Sequence, residues 1–430
     1  MQIQRYEKYK ASGIDWLGEM PEGWEVKRLK DVISSNEKSL SNNEDPFLEI
    51  KYIDISNVGT DKLNDKPEVF YFQDAPSRAR RIPRKNDVIL STVRTYLKAV
   101  YFFENIEENT ICSTGFSVLT PKRILPFFLK YSVIGESFID NVIKYSKGVS
   151  YPAINDSELT ALPLFLPNKQ TQTAIANYLD QHTALIDKKI ALLKVKKQSY
   201  TQLKQTLINE VVTKGLDKTV EMKDSGIEWI GQIPKHWEVK RLKDEFNLLS
   251  SGIKNFTGNK EYLSTASIGE NEIISVQETI TYDERPSRAN MQPRINTAWF
   301  AKMKDTNKSY IFSNKEECEK YILSTGFCAF DVNKNHLSFI KYYLISGYFI
   351  FEKDMYSYGT TQFSINDTNI SQIKFIKLPK SEQIAIANYL DEKTSKIDQI
   401  VKKIDENILA LQEFRKILIN DVVTGKVKVL

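Results

Sequence analysis

Cysteine and histidine are scarce in these 430 residues, with three of each. Cys112, Cys318 and Cys328 show no CxxC spacing, which argues against a disulfide framework and a zinc ribbon; a reducing, cytoplasmic setting is the expectation. His182, His236 and His336 are scattered without metal-ligand spacing and read as surface or capping residues. Long hydrophobic runs are missing too. Residues 1–20 lack the apolar region of a signal peptide, and "FIKYYLISGYFIF" is too short to span a bilayer and contains Lys341, so no membrane partner is expected. There is no GxxxxGK[ST] phosphate loop, no GxGxxG and no GxSxG elbow. Nor is charge one-sided. Sixty basic against 55 acidic residues leave a net charge of +5, which favours nucleic acid only modestly over other partners. The chain is expected to catalyse nothing by itself and to bind no cofactor or metal.

What is present is repetition. "SGIDWLGEMPEGWEVKRLKD" (12–31) returns as "SGIEWIGQIPKHWEVKRLKD" (225–244), with Trp24 matched by Trp237 at an offset of 213. "PSRA" at 76–79 returns at 286–289, followed in both copies by Pro-Arg (Pro83-Arg84, Pro293-Arg294). "STGF" at 113–116 returns at 324–327, and "YSKGVSYPAIND" (145–156) aligns with "YSYGTTQFSIND" (356–367). "QTAIANYLD" aligns with "QIAIANYLD", and "LINEVVT" (207–213) with "LINDVVT" (418–424). A fixed-offset repeat over the whole length decides architecture before any local reading does. The chain is two versions of one unit of about 210 residues. Between the shared blocks the copies differ strongly, as expected of two modules of one fold that recognise different things.

Each unit opens as a mixed α+β domain. "WEVKRLKDV" reads as a strand leading into a short helix or turn; "DVILSTVR", "AVYFF", "TAWFAKM" and "IISVQETITY" read as strands; "LPFFLKYSVIGESFIDNVI" and "LSFIKYYLISGYFIFEKDM" read as helical. After Pro167 and Pro379 a run without Pro or Gly keeps apolar residues at alternating spacings of three and four. Ile186, Ile190, Leu193, Tyr200, Leu207 and Val211 form one such seam, interrupted by Lys197 and Lys204. Ile397, Val401, Ile404, Ile408, Leu411, Leu418 and Val422 form the other, interrupted by Arg415. That spacing predicts two long helices that pair as an antiparallel coiled coil. The expected architecture is α+β and pseudo-twofold. It places a recognition domain at 1–167, a long helix at 168–215, a second domain at 216–379 and a second long helix at 380–430. The helices are expected to act as a ruler holding the two domains a set distance apart.

Two loop regions carry candidate binding chemistry. The first is basic: Ser77, Arg78, Arg80, Arg81 and Arg84 in one copy, and Ser287, Arg288, Asn290 and Arg294 in the other. Arg94 and Lys98, with Lys302 and Lys304, extend the strip. Arginine bonds guanine and phosphate bidentately, whereas Asn does so to adenine, so a loop that exchanges one for the other suits two different base readers. The second is the glycine loop before the next helix, with Lys147, Ser150 and Tyr151 in one copy and Thr360, Thr361 and Gln362 in the other. The "IND" that ends both loops suggests Asp156 and Asp367 as helix caps. "NEDPFL" (43–48) echoes the base-holding loop of amino-methyltransferases, but it lacks the second proline and reads as a turn.

The doubled, ordered set SGI[DE]W[LI]G…WEVKRLKD, PSRA, STGF, G…IND, Q.AIANYLD and a long helix resembles the specificity (S) subunit of type I restriction-modification systems over nearly the whole chain. The resemblance implies that each variable domain reads one half of a split double-stranded DNA sequence, while the helices form the spacer. It further implies docking of two methyltransferase (M) subunits, joined by restriction (R) subunits, with S-adenosylmethionine, ATP and Mg on those partners. For M-subunit docking the helix starts at Tyr178, Leu179, Tyr389 and Leu390 are the candidates, with Trp16, Trp24, Trp229 and Trp237 more in keeping with core. Two other readings stay open: a coiled-coil scaffold for proteins without DNA specificity, which predicts no salt-dependent DNA binding, and a single-chain methyltransferase or nuclease, which predicts activity of the isolated chain.

Overall fold

The computed structural model describes residues 4–16, 18–332, 334–359 and 363–429. The chain divides into two compact units, one comprising residues up to Leu193 together with those from Asp405 onward, the other Lys194–Ile404. Both boundaries fall inside long helices, Lys169–Lys214 and Lys380–Val423. Each unit therefore owns a globular α+β part, the start of the helix that leaves it and the end of the helix that enters it.

In the first unit a four-stranded sheet runs in the order Glu68–Tyr71, Glu49–Ile53, Thr110–Ser113, Ala79–Arg81, with the central pair parallel and Ile111 opposite Tyr52. A second sheet, wholly antiparallel, orders Ile33–Ser35, Phe116–Pro121, Val88–Ser91, Val100–Phe102. Val88–Ser91 is buried at every position, which explains its continuous apolar run in place of alternation. The second unit repeats the plan. Its four-stranded sheet is Glu278–Ile280, Lys260–Leu263, Tyr321–Ser324, Ala289–Met291, and its other sheet keeps three strands, Ser309–Phe312, Thr297–Ala301 and Phe327–Asp331. Only the end of "IISVQETITY" is a strand there. Asn271 turns in the left-handed region at φ 60° and leaves Ile274 and Val276 exposed.

The repeated opening block is a seat for the end of a long helix. "WEVKR" supplies the strand Glu25–Arg28, paired with Pro163–Leu166, and its copy Glu238–Arg241 pairs with Lys374–Lys377. Trp24 and Trp237 are both buried. Just past the end of each long helix stands a glycine in the left-handed region, Gly425 (φ +75°) over Pro21 and Trp24, and Gly215 (φ +76°) over Pro234 and Trp237. A Cβ at Gly425 would stand 2.5 Å from Pro21 Cδ, and one at Gly215 would stand 3.2 Å from Trp237 Cζ2. Conformation calls for glycine at both positions, and at Gly425 space does as well.

Each predicted globular helix is in fact two: Pro126–Ile134 and Glu136–Tyr145 in the first unit, Leu337–Ile345 and Gly347–Met355 in the second. The chain takes an extended residue at the joint, Gly135 (ψ 135°) or Ser346 (ψ 143°). The incoming long helix docks at that joint: Ser137 N–H donates to Asn420 Oδ1 at 2.9 Å, and Gly347 N–H donates to Asn209 Oδ1 at 2.7 Å. The outgoing helix is held nearby, by Tyr131 on Asp180 in the first unit (2.6 Å) and Tyr342 on Asp391 in the second (2.7 Å). One helix segment starts at the globular part and the other ends there, so within each unit the two run antiparallel.

The seam follows the spacing in the sequence. Ile186, Ile190, Ile397, Ile404, Ile408, Leu418 and Val422 are buried. Arg415 bonds Asp61 (3.2 Å) and Asp187 (3.1 Å) in the first unit, and Lys204 bonds Asp398 (2.8 Å) in the second. An exposed pair such as the latter contributes only about 0–1 kcal/mol, so the buried isoleucines carry the pairing and the charges select its register.

Candidate nucleic-acid interface

Three motifs that are far apart in sequence form one surface in each unit, joined by backbone hydrogen bonds. "PSRA" is a tight turn: Ala79 N–H donates to Pro76 O and Ala289 N–H to Pro286 O, both at 2.8 Å. The alanine is buried in each copy, which leaves the two middle residues, Ser77-Arg78 and Ser287-Arg288, turned outward and exposed.

"STGF" ties that turn to the others. Gly115 N–H donates to Ser113 Oγ (3.2 Å) and Gly326 N–H to Ser324 Oγ (3.1 Å), folding the motif on itself. Thr114 N–H donates to Arg78 O (2.8 Å) and Thr325 N–H to Arg288 O (2.9 Å). On the other side Gly115 O accepts from Thr92 N–H (2.8 Å), and Gly326 O from Lys302 N–H (2.9 Å). Phe116 and Phe327 anchor the motif in the core. A Cβ on Gly115 would lie 2.6 Å from Ile55 Cδ1, and one on Gly326 would lie 2.9 Å from Thr265 Cγ2.

From the basic turn the ladder continues to the glycine loop. Ile154 N–H donates to Thr92 O (2.9 Å) and Arg94 N–H to Pro152 O (2.7 Å); in the second unit Ile365 N–H donates to Lys302 O (2.9 Å) and Lys304 N–H to Phe363 O (3.0 Å). A cation stacks on an aromatic ring at the same place in both, Arg94 over Tyr151 (4.7 Å) and Lys304 over Phe363 (5.5 Å). Arg94 and Lys98 hold left-handed backbone (φ 52° and 51°), a conformation sparsely populated by such residues. Tyr96, Val149 and Tyr151 are exposed beside them.

Not every expected residue faces outward unengaged. Arg84 is committed to Glu37 at 2.8 Å; that carboxyl is held down to about 2 by bonds from Lys122, then Ser34, with Arg84 adding to them. Arg80 lies over Phe72 (5.0 Å), and Arg81 reaches Ser39 Oγ (3.4 Å) with a buried Nε. Lys98 pairs with Asp140 (3.1 Å) and Lys147 with Glu158 (2.6 Å). Arg294, Ser150 and Tyr151 are exposed, and Asn290 is half-buried. Thr360, Thr361 and Gln362 lie outside the described residues.

The shared "IND" has a different division of labour from the one expected. Asn155 and Asn366 are the caps, accepting from Glu158 N–H (2.8 Å) and Asn369 N–H (2.7 Å). The aspartates tie the loop to the sheet instead. Asp156 accepts from Ser35 (2.6 Å) and Asn36 (2.9 Å), whereas Asp367 pairs with Lys302 (2.6 Å), so Lys302 holds the loop from within. Two docking candidates also need correction: Leu179 and Leu390 are fully buried in the chain's own core and present no surface to a partner. Tyr178 and Tyr389 beside them are half-buried. Trp24 and Trp237 are core, Trp16 is half-buried, and Trp229 is exposed against Phe351 at 4.9 Å. Asp45 Oδ1 accepts from Phe47 N–H (2.9 Å), making a turn of "NEDPFL". Among the described residues no cluster of His, Cys, Asp or Glu has metal-site geometry, and no helix is long and apolar enough to cross a membrane.

Comparison with known proteins follows the repeat. The profile of the type I restriction modification DNA specificity domain matches twice, at residues 21–196 and 234–410. The chain is 24% identical to the type I restriction enzyme MjaX specificity subunit of Methanocaldococcus jannaschii, over 100% of this chain and 99% of that protein. It is 32% identical to the type I restriction enzyme HindI specificity subunit of Haemophilus influenzae over 35% of this chain and 33% of that protein. Its fold is similar to a chain solved in work on complex assembly and conformational transition of the type I R-M system (TM-score 0.73, 20% identity, 94% of this chain and 98% of the other). It is also similar to the HsdS subunit of Thermoanaerobacter tengcongensis (TM-score 0.54, 21% identity, 95% and 98%). With two specificity domains matched over most of its length, the chain belongs to the type I restriction-modification specificity subunits, whose part in such systems is DNA recognition without catalysis.

Proposed function

We propose that this subunit reads an asymmetric, split double-stranded DNA sequence, one half with each unit, and directs methyltransferase and restriction subunits to it. The observation that carries the reading is the doubled platform: the same backbone bonds join the same three loops in both units, the Ser-Arg tip is kept in each, and the residues around it differ, Arg80 against Asn290, Arg94 against Lys304 and Ser150-Tyr151 against Thr361-Gln362. A conserved frame with exchanged contacts is what two readers of unlike sequence need. In the first unit Arg78, Arg94, Ser150 and Tyr151 are the proposed DNA contacts, and in the second Arg288, Asn290, Arg294 and Lys304; Thr360, Thr361 and Gln362 belong to the same proposal. Arg80, Arg81, Lys98 and Lys147, each engaged by a neighbouring side chain, are assigned to phosphates, which position the duplex without specifying sequence. The recognition domains are assigned to residues 1–167 and 216–379, with spacer helices at 168–215 and 380–430.

The net charge of +5 is small for an autonomous DNA binder, so tight binding is assigned to the assembly with two M subunits, which would carry S-adenosylmethionine. Tyr178 and Tyr389, equivalent positions near the starts of the two long helices, are the proposed docking points. The test is methylome sequencing of cells that express this chain with its neighbouring methyltransferase gene. One asymmetric bipartite adenine-methylated motif is expected, and exchange of residues 25–165 should change only one of its halves. A continuous motif, or an exchange that alters both halves, overturns the reading.

A further inference from the structure

A buried cation holds the Lys302–Thr306 turn of the second unit. Lys353, in the last turn of the helix Gly347–Met355, is 1% exposed, a rare place for a lysine unless its charge is fully engaged. Its Nζ donates to Met303 O (2.6 Å), Thr306 O (2.8 Å) and Thr306 Oγ1 (3.3 Å). The next residue grips the same turn: Asp354 Oδ2 accepts from Asp305 N–H at 3.0 Å, where Asp305 takes left-handed backbone (φ 57°). Two adjacent side chains thus fix the segment from which Lys304 extends over Phe363. The first unit does this without a buried charge. The position equivalent to Lys353 is Val142, and its turn is held by the Thr95–Ser146 hydroxyl bond (2.8 Å) and the Lys98–Asp140 pair.

A buried ion usually stabilises a fold less than an apolar residue of similar volume would, because desolvation offsets its contacts. What Lys353 supplies in return is direction, since three bonds to one turn admit one arrangement of it. We propose that Lys353 is a positioning residue for the DNA-reading surface of the second unit, setting the Lys302–Thr306 turn and thereby the aim of Lys304. This rests on the reading of the second unit as the reader of one half-site.

The test uses Lys353→Met in the full chain, with two measurements. Amide hydrogen exchange should show Lys304 and Asp305 exchanging about tenfold faster or more than in the wild type. Methylome sequencing with the partner methyltransferase should show one half of the motif relaxed, with discrimination at the affected bases reduced by about tenfold, and the other half unchanged. Unaltered exchange in the turn, a motif unaltered in both halves, or a motif weakened equally in both overturns the inference. A wild type that methylates no bipartite motif overturns the functional reading and, with it, this role in DNA reading, while the exchange result still separates that failure from a failure of the pin itself. Should Lys353→Met not fold, Thr306→Val removes one acceptor of Lys353 together with the hydroxyl's own bond to Met303 O (2.9 Å) and keeps both carbonyls; the same changes are then expected on a smaller scale, and their absence overturns the inference.

Discussion

Asn420 Oδ1 accepts a hydrogen bond from the backbone N–H of Ser137, 283 residues earlier in the chain, at 2.9 Å. The first turn of any helix has N–H groups without intrahelical partners, and here the helix Glu136–Tyr145 receives its acceptor from the end of the second long helix. Asn209, at the same point of "LIN[ED]VVT" in the first long helix, does this for Gly347 in the second unit. In both units the helix end and the globular part are therefore latched at a backbone atom, where substitution of the globular residue cannot remove the donor.

Replacing Asn420 by Ala should lower the stability of the first unit by about 1 kcal/mol, the usual net loss of one such bond with its donor left unpaired. Urea denaturation measures the loss, and faster exchange of the Ser137 amide locates it. Asn420→Asp keeps an acceptor and should retain more of the stability; an equal loss in both variants would mean that the hydrogen bond is not the cause.

Gly115→Ala and Gly326→Ala should each disturb one platform. The added methyl meets Ile55 or Thr265 at less than normal contact distance, an overpacking that costs about 1–3 kcal/mol. Each variant is expected to relax one half of the methylated motif and to leave the other intact, as read by methylome sequencing.

Arg78 and Arg84 are close in sequence and differently engaged, Arg78 exposed and Arg84 paired with Glu37. Arg78→Ala should weaken DNA binding by about 1–3 kcal/mol if it reads a base, or reduce the salt dependence of binding by about one contact if it meets a phosphate. Arg84→Ala breaks the Glu37 pair instead and should alter thermal stability with little direct effect on DNA affinity. Binding titrations over a range of salt concentrations, set beside melting curves, separate the two.

Glu352 supplies a pH-dependent prediction. It is 1% exposed, Oε1 accepts from Lys374 N–H (3.1 Å), Oε2 has no hydrogen-bond partner among the described residues, and burial raises its pKa above the usual carboxylate value. An acid whose folded pKa is raised leaves its stabilising contribution complete below the unfolded value and loses it as pH rises through the folded value. Glu352→Gln should therefore melt higher than the wild type at pH 8, with the difference vanishing near pH 4. A difference that persists at pH 4 would rule out buried ionisation as its cause.

Much of this molecule is legible from residue types and spacing. The doubling, the two long helices and the seam through Ile186, Ile190, Ile397, Ile404 and Ile408 follow from periodicity, because an amphipathic helix must bury its stripe against something. The exposed tips at Ser77-Arg78 and Ser287-Arg288 follow from a local turn whose flanking alanine goes inward. Other features depend on partners far along the chain. The opening block reads as a strand and a turn, yet its use is to receive Gly425 and Gly215, and no local pattern announces that. The breaks at Gly135 and Ser346 interrupt apolar runs that look continuous, because the bond that rewards each break comes from Asn420 or Asn209.

The same distinction runs through the binding surface. Composition and motif order by themselves determined that two related units carry basic and polar loops at equivalent points, since residue type and spacing belong to the chain however it folds. Only tertiary structure decided which of those cations are committed, as Arg84 is to Glu37 and Lys302 is to Asp367, and which extend outward, as Arg78 and Arg288 do. The physical reason is that an ion pair or a buried hydrogen bond depends on separations of a few ångströms between segments tens to hundreds of residues apart. Those separations exist only once the sheets, turns and helix ends have packed.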